Sequence, residues 1–263
     1  MQLNQNLIRF IVISIQVICF ALTIVGLAIP YDILSYVFRP LCILALIPFT
    51  VGGWNGPAPS GEPTRLIIPK QFKIWMIVSV VFAAIGNTFA VREVEHLYSL
   101  IIAMIANSLS VVCFIIATFP RFPLENKTSW SFTIFVLLCF VQAGHFMMYS
   151  FLRRNVGYSY VYWFFSLLQI AFLTGHMNTP ESRRICHECH SIGTLGGLLL
   201  FFSNILRFLA QCGYGMVGEE FYVWTLTYLG LWMIQFSSGK FTCEKAYQKA
   251  RDGYDSFDQA YVN

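Results

Sequence analysis

The sequence predicts an all-α protein, a polytopic membrane helix bundle with about eight transmembrane helices. Of its 263 residues, 57% are apolar and only 11% are charged, and the mean hydropathy is +0.62. Apolar runs of roughly 20 residues recur along the chain, long enough for an α-helix to cross about 30 Å of hydrocarbon. Because these runs are continuously apolar, helices are predicted rather than the alternating strands of a barrel.

Eight apolar runs can be counted from one end of the chain to the other. The predicted spans are 7–29, 33–53, 73–92, 97–119, 130–151, 158–178, 192–212 and 220–238. The longest loop, 54–72, is rich in Gly and Pro and is typical of an irregular connector. The sequence therefore predicts a single eight-helix transmembrane domain over 1–238 and a short cytoplasmic C-terminal tail over 239–263.

The basic residues predict the orientation. When the chain is threaded through eight spans, twelve of its 17 Lys and Arg residues fall on the side of the N-terminus and the other five fall opposite. Basic residues are retained on the cytoplasmic side, so both termini are predicted to be cytoplasmic. The net charge of +4 suits anionic lipid headgroups as partners, and no nucleic acid is expected.

The acidic residues argue against an ion-coupled transporter. The thirteen Asp and Glu residues fall in predicted loops, in the tail or, for Glu220, at the first residue of the last predicted span. Proton-driven carriers place carboxylates inside the membrane, where they bind and release the coupling ion. Because no such relay is predicted, this class of function is disfavoured.

The predicted spans do contain other polar groups. At about 1.5 Å per residue, most of them lie in the non-cytoplasmic half, with two Asn residues nearer the middle. One interpretation is a polar pocket open toward the non-cytoplasmic leaflet. The other is that these groups hydrogen-bond between helices or, for an Arg near an interface, reach toward water. The residues are Arg39, Asn87, Asn107, His145, Asn204, Arg207 and Tyr228.

Four segments of the chain, in order, resemble motifs of the lysoplasmalogenase-like (YhhN) membrane proteins. They are similar to that family's Lys-Pro-Leu, to its Gly-Asp, to a Gly- and Phe-containing segment that ends in Ser-Asp, and to the Thr-Tyr of its last helix. In this sequence the segments are Arg39-Pro40-Leu41, Ala84-Ile85-Gly86-Asn87, Gly197 to Asn204, and Thr227-Tyr228.

The resemblance implies eight helices, residence in the endoplasmic reticulum or another endomembrane, and hydrolysis of the vinyl ether bond of lysoplasmalogens. It also implies catalysis by two intramembrane aspartates, whose positions are occupied here by Asn87 and Asn204. The family's Ala-His-x-x-Tyr is also replaced, by the segment Ala106 to Ser110.

These replacements matter because cleavage of a vinyl ether begins with protonation of the enol ether carbon. An amide can orient water or bind a headgroup, but it neither donates a proton as an acid nor accepts one as a base. Imidazole in general titrates near neutral pH, so His145 is the candidate replacement acid. An interhelical hydrogen bond is the alternative role for this His.

The segment Cys186-His187-Glu188-Cys189-His190 offers half a zinc site and also matches the pattern of covalent haem attachment. The predicted topology places it in the cytoplasm, which conflicts with attached haem. A reduced surface loop is therefore expected, with Cys186, Cys189 and His190 as weak metal candidates. No cofactor is predicted.

Two functions remain open. The first is a divergent lysoplasmalogenase-type hydrolase acting on lysoplasmalogen-like lipids, with Asn87, Asn204 and His145 as the catalytic candidates. The second is a catalytically inactive relative that binds lipid or a partner protein. For either function, a lysophospholipid or another single-chain lipid is the expected ligand. Its headgroup phosphate would be held by Arg39 and Arg207, because Arg grips phosphate with two hydrogen bonds. Asn107 and Tyr228 would line the same pocket.

Overall fold

A computed structural model describes residues 5–28, 32–48, 70–89, 97–118, 186–211 and 217–261. Within these ranges every regular element is an α-helix, which confirms the predicted all-α class. The helices are α1 Gln5–Ala28, α2 Asp32–Leu44, α3 Lys70–Phe89, α4 Leu97–Thr118, α5 His187–Gln211 and α6 Glu219–Tyr261.

Each of these helices coincides with a predicted span. The predicted spans 130–151 and 158–178, together with His145, lie outside the described residues. α2 ends at Leu44, before the predicted limit at 53, and a turn follows at 45–46. α6 runs beyond the predicted limit at 238 and stays helical to Tyr261, so the expected tail and the last span share one helix.

Three of the helices are long and apolar enough to cross a membrane: Phe10–Ala28 within α1, Lys70–Phe89, and His187–Arg207 within α5. Shorter apolar stretches occupy α2 and α4, at Ile33–Leu44 and Ile101–Ala117. α1 also exposes large apolar side chains; Phe10, for example, is 68% exposed. Such a surface suits lipid rather than water, and the chain is a helical membrane protein.

The described helices pack in pairs: α4 on α3, α3 on α2, α2 on α1, α1 on α6 and α6 on α5. α1, α2, α3 and α6 contribute most of the main apolar core, in which Cys42, Met76, Val80, Trp224 and Ile234 are almost fully buried. Because α2 and α6 both contribute to this core, residues far apart in the sequence meet there.

α5 and α6 approach each other closely at two glycines. A Cβ atom on Gly196 would lie 2.9 Å from the carbonyl oxygen of Gly230, and one on Gly230 would lie 2.9 Å from the carbonyl oxygen of Gly196. Small residues at a helix crossing allow the two backbones to approach within a membrane. The glycine pair therefore sets the spacing of α5 and α6.

A second close approach joins α3 and α4. A Cβ atom on Gly86 would lie 2.5 Å from the Asn107 side chain, so the Asn amide packs directly on the α3 backbone. Further along the same pair, the Ser79 hydroxyl donates to the Ser110 carbonyl oxygen at 2.8 Å. These contacts hold α3 and α4 together through small and polar groups, as is typical of membrane helices.

α6 begins at a sharp turn. Gly218 has a φ of 75°, a left-handed conformation that glycine adopts without steric cost, and its carbonyl oxygen accepts the backbone N–H of Phe221 at 3.0 Å. Glu219 and Glu220 follow in the first turn, where negative charge is favoured by the helix dipole. This turn places Glu220 at the end of α6 that lies beside α2.

Gly196→Ala is expected to lower the free energy of unfolding by about 1–3 kcal/mol, because its methyl group would force the backbones of α5 and α6 apart. The matched control is Gly197→Ala, since no described atom lies within 4 Å of a Cβ at that position. The measurement is thermal unfolding of the purified protein in detergent. Equal effects of the two substitutions would contradict the inferred contact between α5 and α6.

Candidate functional site

Arg39, on α2, is a buried base in the interior of the bundle. Its side chain is only 7% exposed, and its guanidinium carbon lies 5.5 Å from the centre of the Trp224 ring on α6. Its Nη2 lies 3.6 Å from Glu220 Oε2, and the Glu220 side chain is 69% exposed. The charge of Arg39 is therefore offset by an aromatic face and by a carboxylate that reaches toward solvent.

Three aromatic rings continue inward from Arg39. Trp224 stacks on Tyr228 with ring centres 6.0 Å apart, and Tyr228 stacks on Phe20 of α1 at 5.1 Å. Tyr228 also lies in the same apolar core cluster as Cys42 on α2. Tyr228, predicted to line a pocket, thus lies in the structural contact between α1, α2 and α6.

Trp224 brings an unused donor to this position. It is 2% exposed, and its Nε1 has no hydrogen-bond acceptor among the described residues. An indole N–H normally finds an acceptor when it is buried. Arg39 and Trp224 therefore offer a cationic fork and a neutral donor within one small region.

Ser203 and Thr227, beside the candidate residues Asn204 and Tyr228, form a polar link between α5 and α6. Their hydroxyl oxygens are 2.5 Å apart, and the Ser203 hydroxyl also donates to the carbonyl oxygen of Val223 at 2.9 Å. Both residues are buried. The hydroxyl groups of Ser203 and Thr227 therefore hold α5 and α6 together.

The two candidate amides on α3 and α4 have different surroundings. Asn87 is buried, and its Nδ2 donates to the carbonyl oxygen of Ala83, one turn earlier in α3, at 2.8 Å. Asn107 packs on Gly86, and its Nδ2 has no acceptor within the described part of the chain. Asn87 therefore has a local structural partner, whereas the Asn107 amide is open to a further hydrogen bond.

The structure describes the other candidate residues in less detail. Arg207 is buried in the last turns of α5, on the helix that precedes the turn at Gly218. Asn204 lies in α5, one residue after Ser203. His145 lies outside the described residues. The structure thus joins Tyr228 to Arg39 through Trp224 and places Asn87 and Asn107 on either side of the α3–α4 contact.

Sequence reasoning missed two members of this site, Trp224 and Glu220. By sequence, Trp224 is one of the apolar residues of the last predicted span, 220–238, and Glu220 is the first residue of that span. The signal that could have found them is their spacing: they are four residues apart and so share one face of α6. A base on a neighbouring helix can then contact both residues.

The site lacks a buried carboxylate in the part of the chain that the structure describes. Glu220 forms an ion pair with Arg39, and it is mostly exposed at the start of α6. Asn87 provides an amide where the resemblance predicts a catalytic aspartate. The described arrangement can bind an anion, but it offers no buried acid to protonate an enol ether.

The expectation of a reduced surface loop at the cysteine motif is wrong. Cys186 and Cys189 are joined by a disulfide bond and are buried, at 5% and 1% exposure. The reason is that α5 begins at His187 rather than at 192, so two sulfurs one turn apart lie on the same face of the helix start. No cluster of three or more metal-ligating side chains occurs within the described ranges.

Comparisons with known proteins return no match: no protein-family model, no curated protein and no solved structure matches this chain. The four segments described above are therefore the basis for any assignment to a family.

Thr227→Val is expected to destabilise the protein by about 0.5–2 kcal/mol, because it removes the hydroxyl that is shared with Ser203 while keeping the shape of the side chain. Thr225→Val is the matched control, since the Thr225 hydroxyl has no partner among the described residues and its loss should be neutral. The measurement is denaturation in mixed micelles. Equal losses for both variants would show that the hydrogen bond is not specific.

Proposed function

We propose that this chain is a lipid-binding membrane protein of the lysoplasmalogenase-like type that has lost the catalytic acids of that family. The observation that carries the proposal is the buried Arg39, stacked over Trp224 and balanced by the exposed Glu220. The ligand class is a lysophospholipid or another single-chain lipid that carries a phosphate.

A lipid phosphate can replace the Glu220 carboxylate as the partner of the Arg39 guanidinium. At 3.6 Å, the separation of Nη2 and Oε2 exceeds the 2.7–2.9 Å of a strong charge-assisted hydrogen bond, so the carboxylate is a loose partner. Because Glu220 is mostly exposed, it can turn into water at little cost when a phosphate takes its place. The indole N–H of Trp224 supplies a further donor for a phosphate oxygen.

A vinyl ether hydrolase is the second function considered for this site, and the described residues favour it less. An acid must protonate the enol ether carbon, yet Asn87 has an amide that already donates to Ala83. His145 would have to serve as the acid from a segment outside the described residues. Binding without turnover requires only the groups that lie around Arg39.

The proposal includes a topology and a location. Eight spans with both termini in the cytoplasm are supported by the twelve-to-five distribution of Lys and Arg. In this topology the beginning of α6 and the end of α5 face the non-cytoplasmic side, and Arg39 lies at that end because it contacts Glu220. Residence in the endoplasmic reticulum or another endomembrane follows from the resemblance.

Glu220→Gln is expected to tighten the binding of lysophosphatidylcholine about two- to fivefold, because it removes the carboxylate that competes with the phosphate for Arg39. Glu219→Gln, on the neighbouring residue, should change the affinity little. Arg39→Met should weaken binding about tenfold or more. The measurement is equilibrium binding of the labelled lipid to the purified protein in detergent.

A lipid without phosphate separates headgroup recognition from simple partition. Monoacylglycerol should bind the parent and the Glu220→Gln variant equally, since it offers nothing to the guanidinium. Weaker lysophosphatidylcholine binding in Glu220→Gln than in the parent would contradict the exchange. If Arg39→Met binds lysophosphatidylcholine as tightly as the parent does, Arg39 does not bind the phosphate.

A further inference from the structure

A second chemical feature lies at the start of α5, away from the site around Arg39. Cys186 directly precedes the helix, and Cys189 is in its first turn, where the two sulfurs form a disulfide bond. Both cysteines pack against Phe241 of α6, in a small apolar cluster separate from the main core. The proposed lipid-binding function does not use this pair.

The position at the start of a helix affects the chemistry of both sulfurs. Cys186 lies at the N-cap, where its Sγ accepts the backbone N–H of Cys189 at 3.2 Å. Helix N-termini stabilise negative charge, and cysteines placed there are stabilised as thiolates, which is one reason that Cys-x-x-Cys pairs are readily reduced. When the pair is fully reduced, the sulfur of Cys186 already has a hydrogen-bond donor in the backbone N–H of Cys189.

The predicted topology gives a second, independent indication. Arg183 and Arg184 immediately precede the pair and belong to the basic residues that are assigned to the cytoplasm. Thiols in the cytosol are kept reduced, and the disulfides that form there are usually transient, catalytic or redox-sensing. A disulfide bond between Cys186 and Cys189 on the cytoplasmic side is therefore expected to be one that opens and closes.

We propose that Cys186 and Cys189 form a redox-active pair that exchanges electrons with a small cytosolic monothiol. The thiolate of the first monothiol attacks Cys186 Sγ, the bond between the cysteines breaks, and Cys189 leaves as a thiolate. A second monothiol attacks the sulfur of the first, which releases Cys186 as a thiolate and yields the oxidised disulfide of the monothiol. Two electrons pass to the pair, and the two protons of the monothiols pass through water to its sulfurs.

α6 controls access to the pair. Phe241 is 2% exposed and covers the sulfurs, and the neighbouring Lys240 forms an ion pair with Glu188, which lies between the two cysteines. Cys186 is slightly more exposed than Cys189, which makes its sulfur the expected point of attack. The rate of exchange should therefore depend on how tightly this part of α6 packs on α5.

The experiment uses the full chain in sealed membrane vesicles of known orientation and buffers of reduced and oxidised glutathione as the probe. Samples are quenched with acid, and free thiols are counted by the gel shift that a maleimide polymer produces. Two thiols should appear together as the ratio of reduced to oxidised glutathione approaches that of the cytosol. They should appear only when glutathione is supplied on the cytoplasmic face. Cys113→Ser, which removes a buried thiol on α4, should leave this two-thiol step unchanged.

Variants distinguish an exchanging pair from a structural bond. Cys189→Ser should retain one glutathione on Cys186, seen as a single adduct by mass spectrometry, whereas Cys186→Ser should retain much less. Phe241→Ala should speed the appearance of the two thiols several-fold. A pair that stays oxidised at the cytosolic ratio in both the parent and Phe241→Ala, or that reacts only from the opposite face, would overturn the proposal.

Discussion

A buried guanidinium on α2 is the constraint on which the arrangement of the core depends. A charge inside a membrane bundle is costly unless it is paired, hydrated or held against a polarisable face. Arg39 is held by the ring of Trp224 and by Glu220, and both lie on one face of α6. The need to satisfy this charge therefore keeps the start of α6 beside α2. The stacked rings of Trp224, Tyr228 and Phe20 extend the same contact to α1.

Polar groups in the described bundle divide into two kinds. The hydroxyl groups of Ser203 and Thr227, like those of Ser79 and Ser110, form hydrogen bonds between neighbouring helices. The amide of Asn107 and the indole N–H of Trp224 have no acceptor among the described residues. The first kind stabilises the fold, and the second kind, together with Arg39, provides the chemistry that a ligand could use.

The sequence predicted the positions of the described helices well because continuous apolar runs are a strong and local signal. The end of α6 was not predicted, since the residues beyond 238 are charged and polar and lack that signal. The disulfide bond was missed because it depends on α5 beginning at His187, and helix boundaries are the least certain part of such a prediction. The four-residue spacing of Glu220 and Trp224 shows that they share a face of α6. It does not show that α2 packs against that face, because contact between α2 and α6 is a tertiary feature, and so both were missed as partners of Arg39.

The central claim is that the bundle binds a phosphate-bearing single-chain lipid without cleaving it. The most direct measurement is aldehyde release from lysoplasmenylcholine and lysoplasmenylethanolamine by purified protein that also binds these lipids. The account predicts binding with no turnover in the parent, and turnover only when Asn87→Asp and Asn204→Asp are combined. Turnover by the parent that disappears in His145→Ala would contradict the account and establish a hydrolase with a relocated acid.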